Sequence, residues 1–180
     1  INYIRKSVKI TVDAHDRTMH FYVSDPTDPI VRAYQGDFPP LFPQIAPIPA
    51  DLQRHLRVPE QLFNVQTAMF GRYHVTDPHA FYGQQDFWLV PADPTQSGSA
   101  PPDQPPYYLT LKMPGQSKPT FSLTTTFVPR GRPNLSAFMA VDSDPGPDYG
   151  TIRVLELPRS STVSGPGQVQ NQFEADPAVQ

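Results

Sequence analysis

The chain has 180 residues, 24 of them proline and none cysteine, and a formal charge of −3 in which 14 aspartates stand beside only three glutamates. The lack of cysteine excludes disulfides, thiol nucleophiles, Fe–S clusters and Cys-ligated zinc, and the lack of a basic excess or of any nucleic-acid-binding motif excludes nucleic acid as a partner. Valine, leucine, isoleucine and phenylalanine make up 43 residues, enough for one buried core, while proline at more than twice its ordinary share of about 5% predicts short elements and stiff loops.

Along the chain, Val8, Ile10 and Val12 alternate with Ser7, Lys9, Thr11 and Asp13, which is the pattern of a half-buried strand. After the turn-length break Ala14-His15-Asp16-Arg17, Met19, Phe21 and Val23 alternate with Thr18, His20 and Tyr22. The pair reads as a β-hairpin with Lys9 and His20 facing solvent. Asp28-Pro29 and Asp77-Pro78 each place a capping acid before a first-turn proline, so helices are expected to start at both. Between them, 49–57 carries Asp51 early and Arg54 and Arg57 late, with Leu52 and Leu56 on one side, as a helix dipole favours. The strongest helical periodicity spans 59–73, where Leu62, Val65, Met69 and Tyr73 recur on one face.

Phe87-Trp88-Leu89-Val90 reads as a short buried strand, and 91–106, with six prolines and Ser97-Gly98-Ser99, as a mobile loop. Four strand-like runs follow at 107–113, 121–128, 137–141 and 151–157, separated by Pro, Gly and Asp turns. Such a succession most often forms an antiparallel meander. The polar stretch 160–180 reads as a short helix or a docked tail. The fold class is therefore α+β: an N-terminal β-hairpin, short helices in the middle and a C-terminal antiparallel sheet. Residues 1–160 form one domain, and 161–180 a helix or tail docked on it.

Chemistry concentrates at Asp142-Ser143-Asp144-Pro145-Gly146-Pro147-Asp148. Asp142, Asp144 and Asp148 are candidate ligands for a calcium ion, which takes several carboxylate and carbonyl oxygens. The same residues are what a strand-to-strand turn requires, and the EF-hand spacing is absent. His74 and His79 flank a helix start without zinc-site spacing and read as packed or capping histidines. Arg130-Gly131-Arg132 is either an anion-binding fork or a solvated turn. Phe38 to Pro43 and Asp103 to Tyr108 place aromatics on stiff segments, read as packing back on their own domain. No nucleophile elbow, dinucleotide fingerprint or P-loop occurs, so no catalytic residue is nominated.

Longer strings carry a resemblance. Asn2-Tyr3-Ile4-Arg5, Arg72-Tyr73-His74-Val75-Thr76-Asp77-Pro78, Pro106-Tyr107-Tyr108-Leu109, the acidic turn 142–150 and Gly165-Pro166-Gly167-Gln168-Val169-Gln170-Asn171 together resemble uncharacterised protein family 0182, integral membrane proteins of actinobacteria and cyanobacteria. The resemblance implies a longer protein with N-terminal transmembrane helices and a large extracytoplasmic region of which this chain is the later part. With no apolar run of about 18 residues and no signal-peptide pattern, the piece itself is expected to be soluble, and the start at Ile1 accords with an internal piece. Where the family tends to have Asp-Gly in the first hairpin turn, this chain has His15-Asp16-Arg17, which predicts a looser turn. The resemblance carries no site residues.

The expected function is that of an extracytoplasmic interaction or structural module at the cell membrane. Its partners would be other envelope proteins or other segments of its own full-length chain, with membrane attachment only through the transmembrane helices. The alternatives are a cation- or small-ligand-binding sensor domain and, third, an envelope hydrolase.

Overall fold

The computed structural model describes residues 5–41, 48–96 and 98–179. Strands β1 (Val8–Val12) and β2 (Met19–Val23) pair antiparallel in the register Val8↔Val23 to Val12↔Met19. The turn between them is tighter than the absence of glycine suggests. The Asp13 carboxylate accepts from the backbone N–H of His15 at 2.7 Å and of Asp16 at 3.2 Å, and Asp16 in turn accepts from the Thr18 N–H at 2.8 Å. This Asx turn forces Arg17 to φ +66°, a left-handed conformation in which a Cβ is crowded by the carbonyl and costs about 1–2 kcal/mol. Arg17→Gly is expected to raise the unfolding free energy by about 1 kcal/mol, read from the urea midpoint at unchanged slope.

Helix α1 (Pro29–Asp37) is capped by the Asp28 carboxylate, which accepts from the Ile30 N–H at 2.9 Å, and α4 (Pro78–Tyr82) by Asp77, which accepts from Ala80 at 2.8 Å. Both Asp-Pro starts thus work as the sequence predicts. A 3₁₀ turn at Pro39–Leu41 follows α1. The helix expected over 49–57 shrinks to α2 (Ala50–Gln53). His55 and Leu56 bond three residues back to Leu52 and Gln53, and the Arg57 guanidinium takes the carbonyls of Arg54 and Leu56. Pro59 then bars continuation, because the residue before a proline is pushed out of the helical region.

Helix α3 (Glu60–Tyr73) forms as expected but buries a different stripe. Phe63, Thr67 and Gly71 face the core, while Met69 and Tyr73 are exposed. The small residues let the helix lie directly on a strand: a Cβ at Gly71 would stand 2.5 Å from the Trp88 carbonyl oxygen.

The main sheet is built on β5 (Thr120–Pro129). Its first half pairs on one edge with β4 (Tyr107–Leu111) and its end with β3 (Trp88–Leu89); its other edge pairs with β7 (Ala137–Asp142), which pairs with β8 (Ile152–Glu156). All pairings are antiparallel, so the C-terminal sheet and the α+β class stand as read from sequence. Two-residue strands β6 (Asn134–Leu135) and β9 (Val163–Ser164) pair separately, and α5 (Pro166–Glu174) follows. The chain beyond residue 160 is thereby hydrogen-bonded to the body before its helix begins.

Two expectations need correction. β3 is an edge segment with Leu89 exposed rather than a buried strand, because it meets only the last residues of β5. The proline-rich 91–106 stretch is closed at its base by an Ala92↔Asp103 bridge, Asp93 N–H to Pro102 O and Gln104 N–H to Pro91 O, both at 2.8 Å. The core lies between the sheet and α3: Val58, Phe63, Leu123, Phe127, Ala137, Met139 and Val141, with Phe70, Trp88, Val90, Tyr149 and Val154 packed around them. Burying a phenylalanine or leucine there contributes about 1.5–3 kcal/mol.

Candidate functional site

The first feature is a cleft of about 440 Å³ between the hairpin, the N-terminal half of α3 and the turn before β8. Ser7, just before β1, donates its hydroxyl to Asp28, and Ser24, just after β2, donates to the Lys6 carbonyl at 3.0 Å. The first ties the open end of the hairpin to the start of α1, and the second joins its two strand ends. Lys6 Nζ reaches Gln61 Oε1 of α3 at 3.4 Å and so spans the cleft. The floor is apolar, formed by Leu56, Val58, Leu62 and Val141, and Tyr149 closes one side.

Arg5, Lys6 and Lys9 line this cleft together with Asp25. Arg5 pairs with Asp25 at 3.4 Å; among the described residues no carboxylate forms an ion pair with Lys6 or Lys9. The sequence expectation that Lys9 faces solvent is therefore wrong: its strand face turns to the cleft. Burial lowers the Lys9 pKa, and the neighbouring charge of Lys6 lowers it further. The Tyr149 hydroxyl is pushed up by burial first and by Tyr108 second, with Arg57 acting the other way. A signal for this site was present in the composition, since two of only four lysines stand three residues apart at the first strand.

At the cleft's edge the Asp28 carboxyl is held below its ordinary pKa by the Ser7 hydroxyl, and also by the Ile30 and Val31 N–H groups and by Arg5. A carboxylate whose folded pKa is depressed contributes stability that is present above its unfolded value and lost as pH falls through the folded one. The melting temperature is therefore expected to drop as pH goes from about 5 to below 4, and Asp28→Asn, which retains a capping oxygen, to flatten part of that drop in a pH series of thermal melts.

The acidic turn is the second feature. Asp142 is 1% exposed at the end of β7, and its two oxygens are taken by Gln116 Nε2 at 3.0 and 3.1 Å, by the Ser122 hydroxyl at 3.4 Å, and by Arg153 Nε and Nη2, each at 3.3 Å. Asp144 accepts from the Phe121 N–H at 3.0 Å, and Asp148 lies 3.8 Å from Arg153. The three candidate calcium ligands are thus brought to one turn, but Asp142 and Asp148 share a guanidinium while Asp144 caps a strand. No group of three His, Asp or Glu side chains among the described residues is placed to hold one metal ion. Because a calcium ion would have to displace Arg153 from Asp142, the melting temperature is expected to be the same in millimolar Ca²⁺ and in chelator; a rise in Ca²⁺ would support the cation reading.

Other nominated residues fall into structural roles. His74 caps α3, bonds through Nδ1 to the Phe70 carbonyl at 2.9 Å and stacks on Trp88 at 3.9 Å. Arg130-Gly131-Arg132 is an exposed turn with Gly131 at φ +74°. Tyr108 packs back on its own domain, stacked on Phe121 at 5.1 Å with its hydroxyl donating to the Val58 carbonyl. Phe38 stacks on Tyr34, while 42–47 and Asn2-Tyr3-Ile4 lie outside the described residues.

The third feature is the face of the hairpin opposite Lys9. The cross-strand pairs Ile10↔Phe21 and Val12↔Met19 put apolar side chains side by side, and Ile10, Val12 and Met19 are 51%, 58% and 52% exposed.

With these features in view, comparison with known proteins is decisive on kinship. The sequence matches Uncharacterised protein family UPF0182 over residues 1–180. The chain belongs to this family. UPF0182 proteins of Thermobifida fusca, Leifsonia xyli and Streptomyces coelicolor are 51%, 49% and 50% identical to it, over 99%, 99% and 98% of its length. It covers only 18–19% of these relatives, so it spans about a fifth of the UPF0182 proteins it matches. No solved structure matches the chain. No described helix is long and apolar enough to cross a membrane.

Proposed function

We propose that this chain is an extracytoplasmic interaction module of a larger membrane protein, and that it acts by laying the apolar face of its hairpin on another segment of the same long protein. The observation that carries the reading is the trio Ile10, Val12 and Met19, each more than half exposed on a ribbon of only two strands. An isolated two-stranded ribbon is marginal in water, and a contiguous exposed apolar strip on one marks an interaction surface. An intrachain occupant is favoured because the relatives are about five times longer than this chain, so most of the surface available to cover the strip belongs to the same molecule. The position outside the cytoplasm rests on the resemblance to membrane proteins.

Val12→Asp with Met19→Asp tests the reading. In the 180-residue chain both positions are open to water, so the double variant is expected to melt where the parent does. In the full-length protein it is expected to shed protection, with faster protease cleavage near the hairpin. Equal cleavage of parent and variant would overturn the docking role. A tag on this region that is removed by protease added outside intact spheroplasts supports the extracytoplasmic placement; a tag cut only after lysis contradicts it.

A further inference from the structure

We infer that the cleft between the hairpin and α3 binds a phosphate-bearing amphiphile, the phosphate held by Lys6, Lys9 and Arg5 and the apolar part lying on Leu56, Val58 and Leu62. The inference is independent of the hairpin's opposite, apolar face.

Charge makes the first part of the case. The chain as a whole is acidic, at −3, yet Arg5, Lys6 and Lys9 meet in this cleft, with Asp25 in its lining and Asp28 at its edge both on the Arg5 side. A phosphate monoester, with about −1.5 to −2 charge near neutral pH and three acceptor oxygens, can engage both lysines at once. Lys6 and Lys9 are also the cations with no carboxylate partner among the described residues. Holding two ammonium groups near each other on a partly buried surface is unfavourable, as the depressed pKa of Lys9 reflects. An anion between them relieves both the burial and the repulsion.

Shape makes the second part. The cations come from the hairpin side, whereas Leu56, Val58 and Leu62 come from the segment before α3 and from α3 itself. A ligand filling about 440 Å³ must touch both surfaces, and the volume lies in the range of small-molecule sites of about 300–1,000 Å³. Inorganic phosphate uses only the cationic side.

The test is titration calorimetry of the 180-residue chain with hexyl phosphate, inorganic phosphate and hexanol, and sedimentation with phosphatidylcholine vesicles with and without phosphatidic acid. Hexyl phosphate is expected to bind at least about ten-fold tighter than inorganic phosphate, and hexanol not measurably. Lys6→Gln with Lys9→Gln is expected to weaken hexyl phosphate at least about ten-fold at an unchanged melting temperature, and Lys6→Arg with Lys9→Arg to retain it. Sedimentation with phosphatidic acid vesicles that the Gln double variant loses assigns the phosphate to a lipid headgroup; hexyl phosphate binding without vesicle binding assigns it to a soluble ester. No heat with hexyl phosphate at 10 mM, or binding equal in parent and Gln double variant, overturns the inference.

Discussion

Arg153→Met is expected to cost about 3 kcal/mol of unfolding free energy, at the low end of what breaking a buried ion pair costs. The magnitude follows from which partner is stranded. Asp142 is 1% exposed whereas Arg153 is 25% exposed, so removing the guanidinium leaves a carboxylate inside the protein with only Gln116 and Ser122 as donors. Removing the charge at the other end is milder. After Asp142→Asn, Arg153 can turn to water and to Asp148, now 3.8 Å away, and about 1–2 kcal/mol is expected. Urea midpoints of the two single variants and the double at pH 7 check this. A loss below about 1 kcal/mol for Arg153→Met would mean that the pair is solvated and that Asp142 is not the hub of the turn.

The second large effect is expected at Gly71. An exposed helical glycine replaced by alanine stabilises by about 1 kcal/mol; here the sign should reverse. The new Cβ would lie 2.5 Å from the Trp88 carbonyl oxygen and 3.6 Å from the Phe127 ring. Backbone on both sides of that contact cannot move without lifting α3 off β3. Overpacking of this kind costs about 1–3 kcal/mol, so alanine should lose up to about 2 kcal/mol net of its helical gain, and valine more. Thermal melts of the two variants check it, and a more stable Gly71→Ala would show that α3 does not rest on Trp88.

These two sites also mark where the sequence was readable and where it was not. Asp28-Pro29 and Asp77-Pro78 could be read because capping is local: an oxygen two or three residues from the N–H it serves needs no tertiary information. The long run at 120–129 and its neighbours could be read because they are rich in β-branched and aromatic residues, which favour strands. The buried stripe of α3 could not, since it runs through Thr67 and Gly71, and a count of apolar residues gives weight to Met69 and Tyr73 instead. What decides the stripe is the closeness of Trp88, seventeen residues beyond Gly71. Strands β6 and β9 are two residues each, too short for any period.

The candidate sites divide in the same way. The acidic turn announced itself by composition, but that Asp142 and Asp148 face a guanidinium while Asp144 accepts from the Phe121 N–H depends on Arg153 and Phe121, each one strand away. Alternation in the hairpin identified two faces correctly and placed His20 in solvent, but it misplaced Lys9 and the outer apolar residues. Lys9 lines a cleft, and Ile10 and Val12 stand in the open. An apolar strip left uncovered by its own domain is a local contradiction, and such contradictions concentrate at functional surfaces.

The central claim is that this strip is covered in the longer protein. The direct measurement is site-specific photocrosslinking from position 19, with a benzophenone side chain in place of Met19 in the full-length protein, followed by mass-spectrometric mapping of the product. A crosslink to a defined segment of the same chain outside residues 1–180, lost in the Val12→Asp background, is the predicted result. A strip that gives no crosslink above that of an exposed control position such as His20 would contradict the account.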